Sequence, residues 1–172
     1  MGSINPKVEQ ATRDMLGQAI RGDLEDLAAL IKSVGGEAYR QVLGLCLTAA
    51  AYVAVDVSSG WPTEADVREI ARIIAEREKL IDLSQADVDA YLSDAVLGFR
   101  PLEEALGDAE KAATLPLLIT GSMLFRFRPE GLTWWEYLDQ IWNASLTAET
   151  LDLSVIPALL IRARRAKQTR TD

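Results

Sequence analysis

Apolar positions fall along this chain in two ways, as one unbroken run and as several short stripes at helical spacing. The run is Val42 to Val55, VLGLCLTAAAYVAV, which carries no charge and is interrupted only by Gly44, Thr48 and the Tyr52 hydroxyl. A segment apolar on every side is buried on every side, in protein or in lipid. A membrane span needs roughly 20 consecutive apolar residues. Here Arg40 and Gln41 close the run on one side and Asp56 on the other, so it is too short to cross. The consecutive alanines Ala49, Ala50 and Ala51 favour helix over strand and let neighbouring helices approach closely. The run is therefore expected to be the buried central helix of a bundle, over residues 37–55.

The stripes around it carry their own start and stop signals. Asn5 can cap a first helix with Pro6 at its first position, and Val8, Ala11, Met15, Ala19 and Ile20 recur at helical spacing before Gly22. Asp23 opens a second helix with Leu24, Leu27, Ala28, Ile31 and Val34 as its apolar face. Gly35 and Gly36 would stop that helix by accepting positive φ. No second copy of this hairpin occurs at a fixed period, which removes a solenoid.

After Ser58, Ser59 and Gly60, Thr63 with Asp66 forms a near relative of the capping box. It opens a helix with Val67, Ile70, Ala71, Ile74 and Ile81 inward, and with Glu64/Arg68 and Arg72/Glu76 pairs on the solvent side. Ser84 begins another, with Val88, Tyr91, Leu92 and Ala95 inward. Glu103 to Leu106 reads as a short helical turn ended by Gly107, and Asp108 can cap 109–113. Residues 117–128 admit two readings. Pro116 can open a helix through Phe127, or the segment can form a hairpin in which Phe125 and Phe127 alternate with Leu124, Arg126 and Arg128. Helix is favoured, because every neighbour is helical and a lone hairpin is marginal. Thr133 and Glu136 make a full capping box, followed by a stripe of Trp134, Trp135, Leu138, Ile141 and Trp142. A last helix would carry Leu151, Val155, Ile156, Leu159 and Leu160.

The expected fold class is thus all-α, a compact single-domain bundle of seven or eight helices over 1–172, with 1–4 and 166–172 as flexible ends. The length of 172 residues and the 49 % hydrophobic content suffice for one core without metal or disulfide. One cysteine and no N-terminal apolar segment make a reducing cytoplasm the expected location. Alanine, valine and arginine usage suggests a GC-rich bacterial genome.

Charge and chemistry narrow the function. A formal net charge of -8 disfavours anionic membranes and nucleic acid over most of the surface. The absence of histidine removes the usual His-containing zinc sites, Ser-His-Asp triads and His-based acid/base pairs. Cys46 lies among apolar neighbours that keep a thiol inert. The acids around residues 82–94 and 103–110 lack calcium-loop spacing and are explained by helix dipoles. LSQADVDAYL offers aspartates where a DNA-reading helix needs basic or amide side chains. No cofactor, metal or catalytic residue is expected.

Two features remain as interface candidates. The first is Trp134, Trp135 and Trp142 with Arg126 and Arg128 before them, because Trp and Arg are enriched at binding hot spots. The same stripe can equally serve as core. The second is the basic C-terminus, Arg162, Arg164, Arg165, Lys167 and Arg170, which complements a helix dipole, docks on an acidic surface, including that of a second copy, or, as the least favoured reading, meets nucleic acid. The expected function is a non-enzymatic protein-protein interaction or assembly module, an adaptor or homo-oligomer. The alternative is a helical protein that holds a small apolar ligand between helices.

Overall fold

A computed structural model describes residues 4–77 and 83–146, and among them the chain forms eight α-helices and no strand. They are α1 (Pro6–Arg21), α2 (Leu24–Ser33), α3 (Gly36–Val57), α4 (Glu64–Arg77), α5 (Gln85–Ala90), α6 (Leu102–Leu106), α7 (Ala109–Arg126) and α8 (Trp134–Leu146). α5 runs directly into a π-helical stretch, Tyr91–Val96. The expected helix over 151–160 and the arginines 162, 164 and 165 lie outside the described residues.

The caps sit where the side-chain chemistry puts them. Asn5 Oδ1 accepts from the Lys7 N–H at 3.0 Å, Asp23 from Asp26, Ser84 from Asp87 and Asp108 from Lys111, each satisfying an orphan donor of a first turn. Thr63 and Asp66 bond reciprocally, at 2.8 Å from the Thr63 N–H to the carboxylate and 3.2 Å from the Asp66 N–H to the hydroxyl. A shorter acid therefore closes the capping box as well as Glu would. The glycines after α2 work differently from expectation. Gly35 has φ -64 and ψ 154, so it is an extended cap for α3, and α2 ends on Val34 in extended conformation.

α3 and α7 form the dry centre and run parallel. Two hydrogen bonds of equal sequence offset fix their register: Tyr39 donates to the Ala113 carbonyl, and Thr120 Oγ1 donates to the Cys46 carbonyl at 3.3 Å. Cys46, Ala49, Ala50, Val53 and Ala54 of α3 are fully buried, as are Leu117, Ile119, Met123 and Leu124 of α7. α1 packs on both, because α7 has no side chain at Gly121. A Cβ there would come within 3.3 Å of Ile20 Cγ1 and 3.5 Å of the Leu16 carbonyl oxygen. α3 alone among the described residues is long and apolar enough to cross a membrane, and 56 % of its apolar window is buried within the protein.

The two readings of 109–128 resolve into one continuous helix. Pro116 lies inside α7 instead of opening a new helix, and there is no hairpin. An interior proline removes one ladder bond, pushes on the carbonyl four residues back and costs about 3 kcal/mol. Burial of α7 on nearly every side outweighs this cost, and the Tyr39 hydroxyl adds a bond to the Ala113 carbonyl in the same turn. α2 departs from expectation in another way. Leu27 is buried, but Leu24, Ala28 and Ala29 face solvent, so its apolar face is only partly used.

Candidate interaction surface

The site is built from the end of α7, the connection 127–133 and the start of α8. The Thr133–Glu136 box fixes where α8 begins: the Thr133 N–H and hydroxyl both donate to Glu136 Oε2, at 2.8 and 2.7 Å. The backbone N–H and then the hydroxyl hold the Glu136 carboxyl below its ordinary range. Once the first residue is set, the helical phase decides where each aromatic ring goes.

Tyr137, Leu138, Ile141 and Trp142 turn inward and are buried. The Tyr137 hydroxyl donates to Asp56 Oδ2 at 2.8 Å, and its ring meets Tyr52 edge-on at 6.4 Å. Burial, then the neighbouring Asp56 charge, pushes the Tyr137 hydroxyl well up, so it stays protonated. This contact places a neutral donor on an acidic group in the last turn of α3, where the helix dipole alone would disfavour it. Trp142 is only 3 % exposed, and its indole N–H finds no acceptor among the described residues.

Trp135 takes the opposite flank. It is 49 % exposed, and Trp134 meets it in an edge-to-face contact at 5.8 Å. Trp134 itself lies over α1 at Gly17, where an added Cβ would stand 3.6 Å from its ring. α8 is clamped to α1 again by Arg13, which bonds Glu9 at 2.9 Å and also pairs with Asp139.

Across the connection, Phe125 at the end of α7 is 38 % exposed. Its ring lies under two guanidinium groups, Arg128 at 4.5 Å and Arg126 at 5.7 Å from the centroid. Arg128 also donates to the Phe125 carbonyl, which ties the cation to the helix end. Cation-π stacking of this kind keeps a planar, charged and apolar face in one place.

Of the residues singled out from the sequence, Trp134, Trp135, Arg126 and Arg128 fall on this end of the bundle, whereas Trp142 belongs to the core. The exposed Phe125 and the inward Tyr137 were missed. Only Tyr137 left a signal, since it sits four residues before Ile141 on the same helix face.

Burial keeps the cysteine thiol and two of the tyrosine hydroxyls protonated. Cys46 is wholly buried, and burial pushes its thiol up to about 12. Burial likewise raises the Tyr39 and Tyr91 hydroxyls. Among the described residues no three carboxylate or thiol side chains converge to hold a metal ion. No family model, no curated protein and no solved structure matches this chain.

Proposed function

We propose that the protein is a non-enzymatic assembly module, acting as a homo-oligomer or adaptor through the end of the bundle where α7 passes into α8. The observation that carries this reading is the half-exposed Trp135, together with a Phe125 stacked under Arg126 and Arg128. Large aromatic rings on rigid helix ends, flanked by arginine, are the chemistry of interface anchors. An exposed tryptophan gains most from being covered, because its whole ring then leaves water.

The chain carries a net charge of -8 and also a run of opposite sign at Arg162, Arg164 and Arg165, so two copies have charge complementarity to offer each other. Self-association is therefore the form proposed first, and it is salt-sensitive. A cytoplasmic setting is part of the proposal, since a lone buried Cys46 is suited to a reducing compartment.

Sedimentation equilibrium of the wild type, Trp135→Ala and Phe125→Ala tests it. The wild type is expected to exceed the monomer mass at tens of micromolar protein and low salt, and Trp135→Ala to return it to monomer. A wild type that stays strictly monomeric at millimolar concentration, in low salt, overturns self-association.

A further inference from the structure

Away from the α7–α8 end, a groove of about 470 Å³ opens between the start of α4 and the π-helical stretch. Trp61, Glu64 and Arg68 line one wall, and Asp89, Ser93 and Leu97, each four residues after the last, line the other. Its size is that of a small-molecule site.

Both walls are held in uncommon backbone. Ser59 at φ 55 and Gly60 at φ 152 turn the chain so that Trp61 stands 37 % exposed over the groove, with Pro62 buried behind it. The opposite wall contains the π-helix, whose Leu97 N–H reaches back to the Leu92 carbonyl at 2.9 Å. It closes at Gly98, where a Cβ would strike the carbonyl oxygens of Ser93 and Asp94 at 2.7 Å. The turn ends on Phe99 in the left-handed region at φ 57.

The carboxylates around this groove are matched, with one exception. Glu64 holds Arg68 at 3.2 Å, Asp87 holds Lys111 at 3.2 Å, and Asp94 faces Arg100 at 3.7 Å. Asp89 is half-buried and has no cation or hydrogen-bond partner among the described residues. With Arg68 matched by Glu64, an unmatched carboxylate, a part-exposed indole and an aliphatic side chain in one groove are complementary to a cation on an apolar stem. The net charge of -8 also raises the local concentration of cations around the protein.

We infer that this groove binds a small organic cation, an ammonium or guanidinium group on an aliphatic chain. Its charge meets Asp89, its cationic head or adjacent methylenes meet the Trp61 ring, and its stem runs along Leu97. The Ser93 hydroxyl supplies an acceptor for a remaining N–H. This site is independent of the assembly end and does not rest on that reading.

Nitrogen-15 NMR of the full chain with agmatine as the probe tests it, reading the Trp61 indole N–H, which Trp61→Phe assigns. The resonance is expected to shift saturably with agmatine and not with butylurea, a neutral probe. Asp89→Asn is expected to weaken binding about tenfold, and Glu130→Gln to leave it unchanged. With Trp61→Phe the Ser93 amide takes over as reporter, and weakened binding is expected there too. A shift that does not saturate, that butylurea reproduces, or that Asp89→Asn leaves intact overturns the inference. So does a Trp61 resonance that moves without agmatine when Arg162, Arg164 and Arg165 are replaced by glutamine, because the chain's own basic run would then fill the groove.

Discussion

α3 and α8 both carry dense apolar sequence, yet they meet solvent in opposite ways. α3 has no charged residue between Val42 and Val55 and is enclosed by α1, α7 and the π-helical stretch. α8 presents two large rings on opposite flanks of one stripe, roughly 160° apart on a helical wheel. The structure buries Tyr137 and exposes Trp135. The larger and more apolar ring is thus the one left outside. Its smaller neighbour goes in because it shares the inward face of α8 with Leu138, Ile141 and Trp142, and its hydroxyl there donates to Asp56 at the end of α3. The capping box and the apolar face it aligns decide which flank packs, and the Tyr137–Asp56 hydrogen bond adds to that choice.

Substitutions on the two flanks break this comparison most sharply. Leu138→Ala, at the centre of the inward face, is expected to lower unfolding stability by about 3 kcal/mol in urea titration, as for other buried leucines. An effect below about 1 kcal/mol would mean that α8 is not part of the core.

Within α3 and α7 the polar contacts are few and buried, so each one counts. Thr120→Val removes both the acceptor of the Tyr91 hydroxyl, now 3.0 Å away, and the donor to Cys46, and is expected to cost about 2 kcal/mol. Tyr91→Phe in the same background should recover part of that loss, because the orphaned hydroxyl goes with it. An unrecovered double variant would place the cost in packing instead.

Cys46 adds a pH signature. Its folded pKa is raised above the unfolded value, so the folded chain keeps the proton that the unfolded chain releases. This contribution is fully present below about pH 9 and is lost as pH rises toward about 12. The buried tyrosines act in the same direction at higher pH. Alkaline urea titrations should therefore show stability falling through this window, with a shallower fall in Cys46→Ala at its lower end. An unchanged slope would show that the thiol reaches solvent in the native state.

Tyr137→Phe tests the polar contact between α8 and α3, and is expected to cost about 1.5 kcal/mol, the low end for one hydrogen bond to a charged group. Trp135→Ala is expected to change monomer stability by no more than about 0.5 kcal/mol. A loss of several kcal/mol there would make Trp135 a core residue and remove the interface.

How much of this could be read from the sequence follows from the range of the interactions involved. The all-α architecture, the central helix and most helix starts were legible, because Asn5, Asp23, Ser84, Asp108 and the Thr133–Glu136 box act within a few residues of themselves. The continuity of α7 through Pro116 was not, since it rests on the burial of that helix among distant segments of the chain. The π-helix after α5 left no pattern, because Tyr91, Leu92 and Ala95 read the same in either helix. In α8, periodicity showed an apolar stripe but not its buried flank. The groove pairs residues 61–68 with 89–97, and nothing local in either segment announces the other. The unused apolar side of α2, with Leu24 exposed, shows the converse: a pattern can promise burial that the fold does not supply.

Fluorine NMR of the full chain carrying 5-fluorotryptophan, with each resonance assigned by a single Trp→Phe change, tests the division between core and surface most directly. The account predicts that Trp142 shows no solvent isotope shift, that Trp135 shows a clear one in dilute protein, and that the Trp135 signal alone moves as concentration rises. A protected Trp135 with an exposed Trp142, or a Trp135 signal indifferent to concentration while another tryptophan responds, would contradict it.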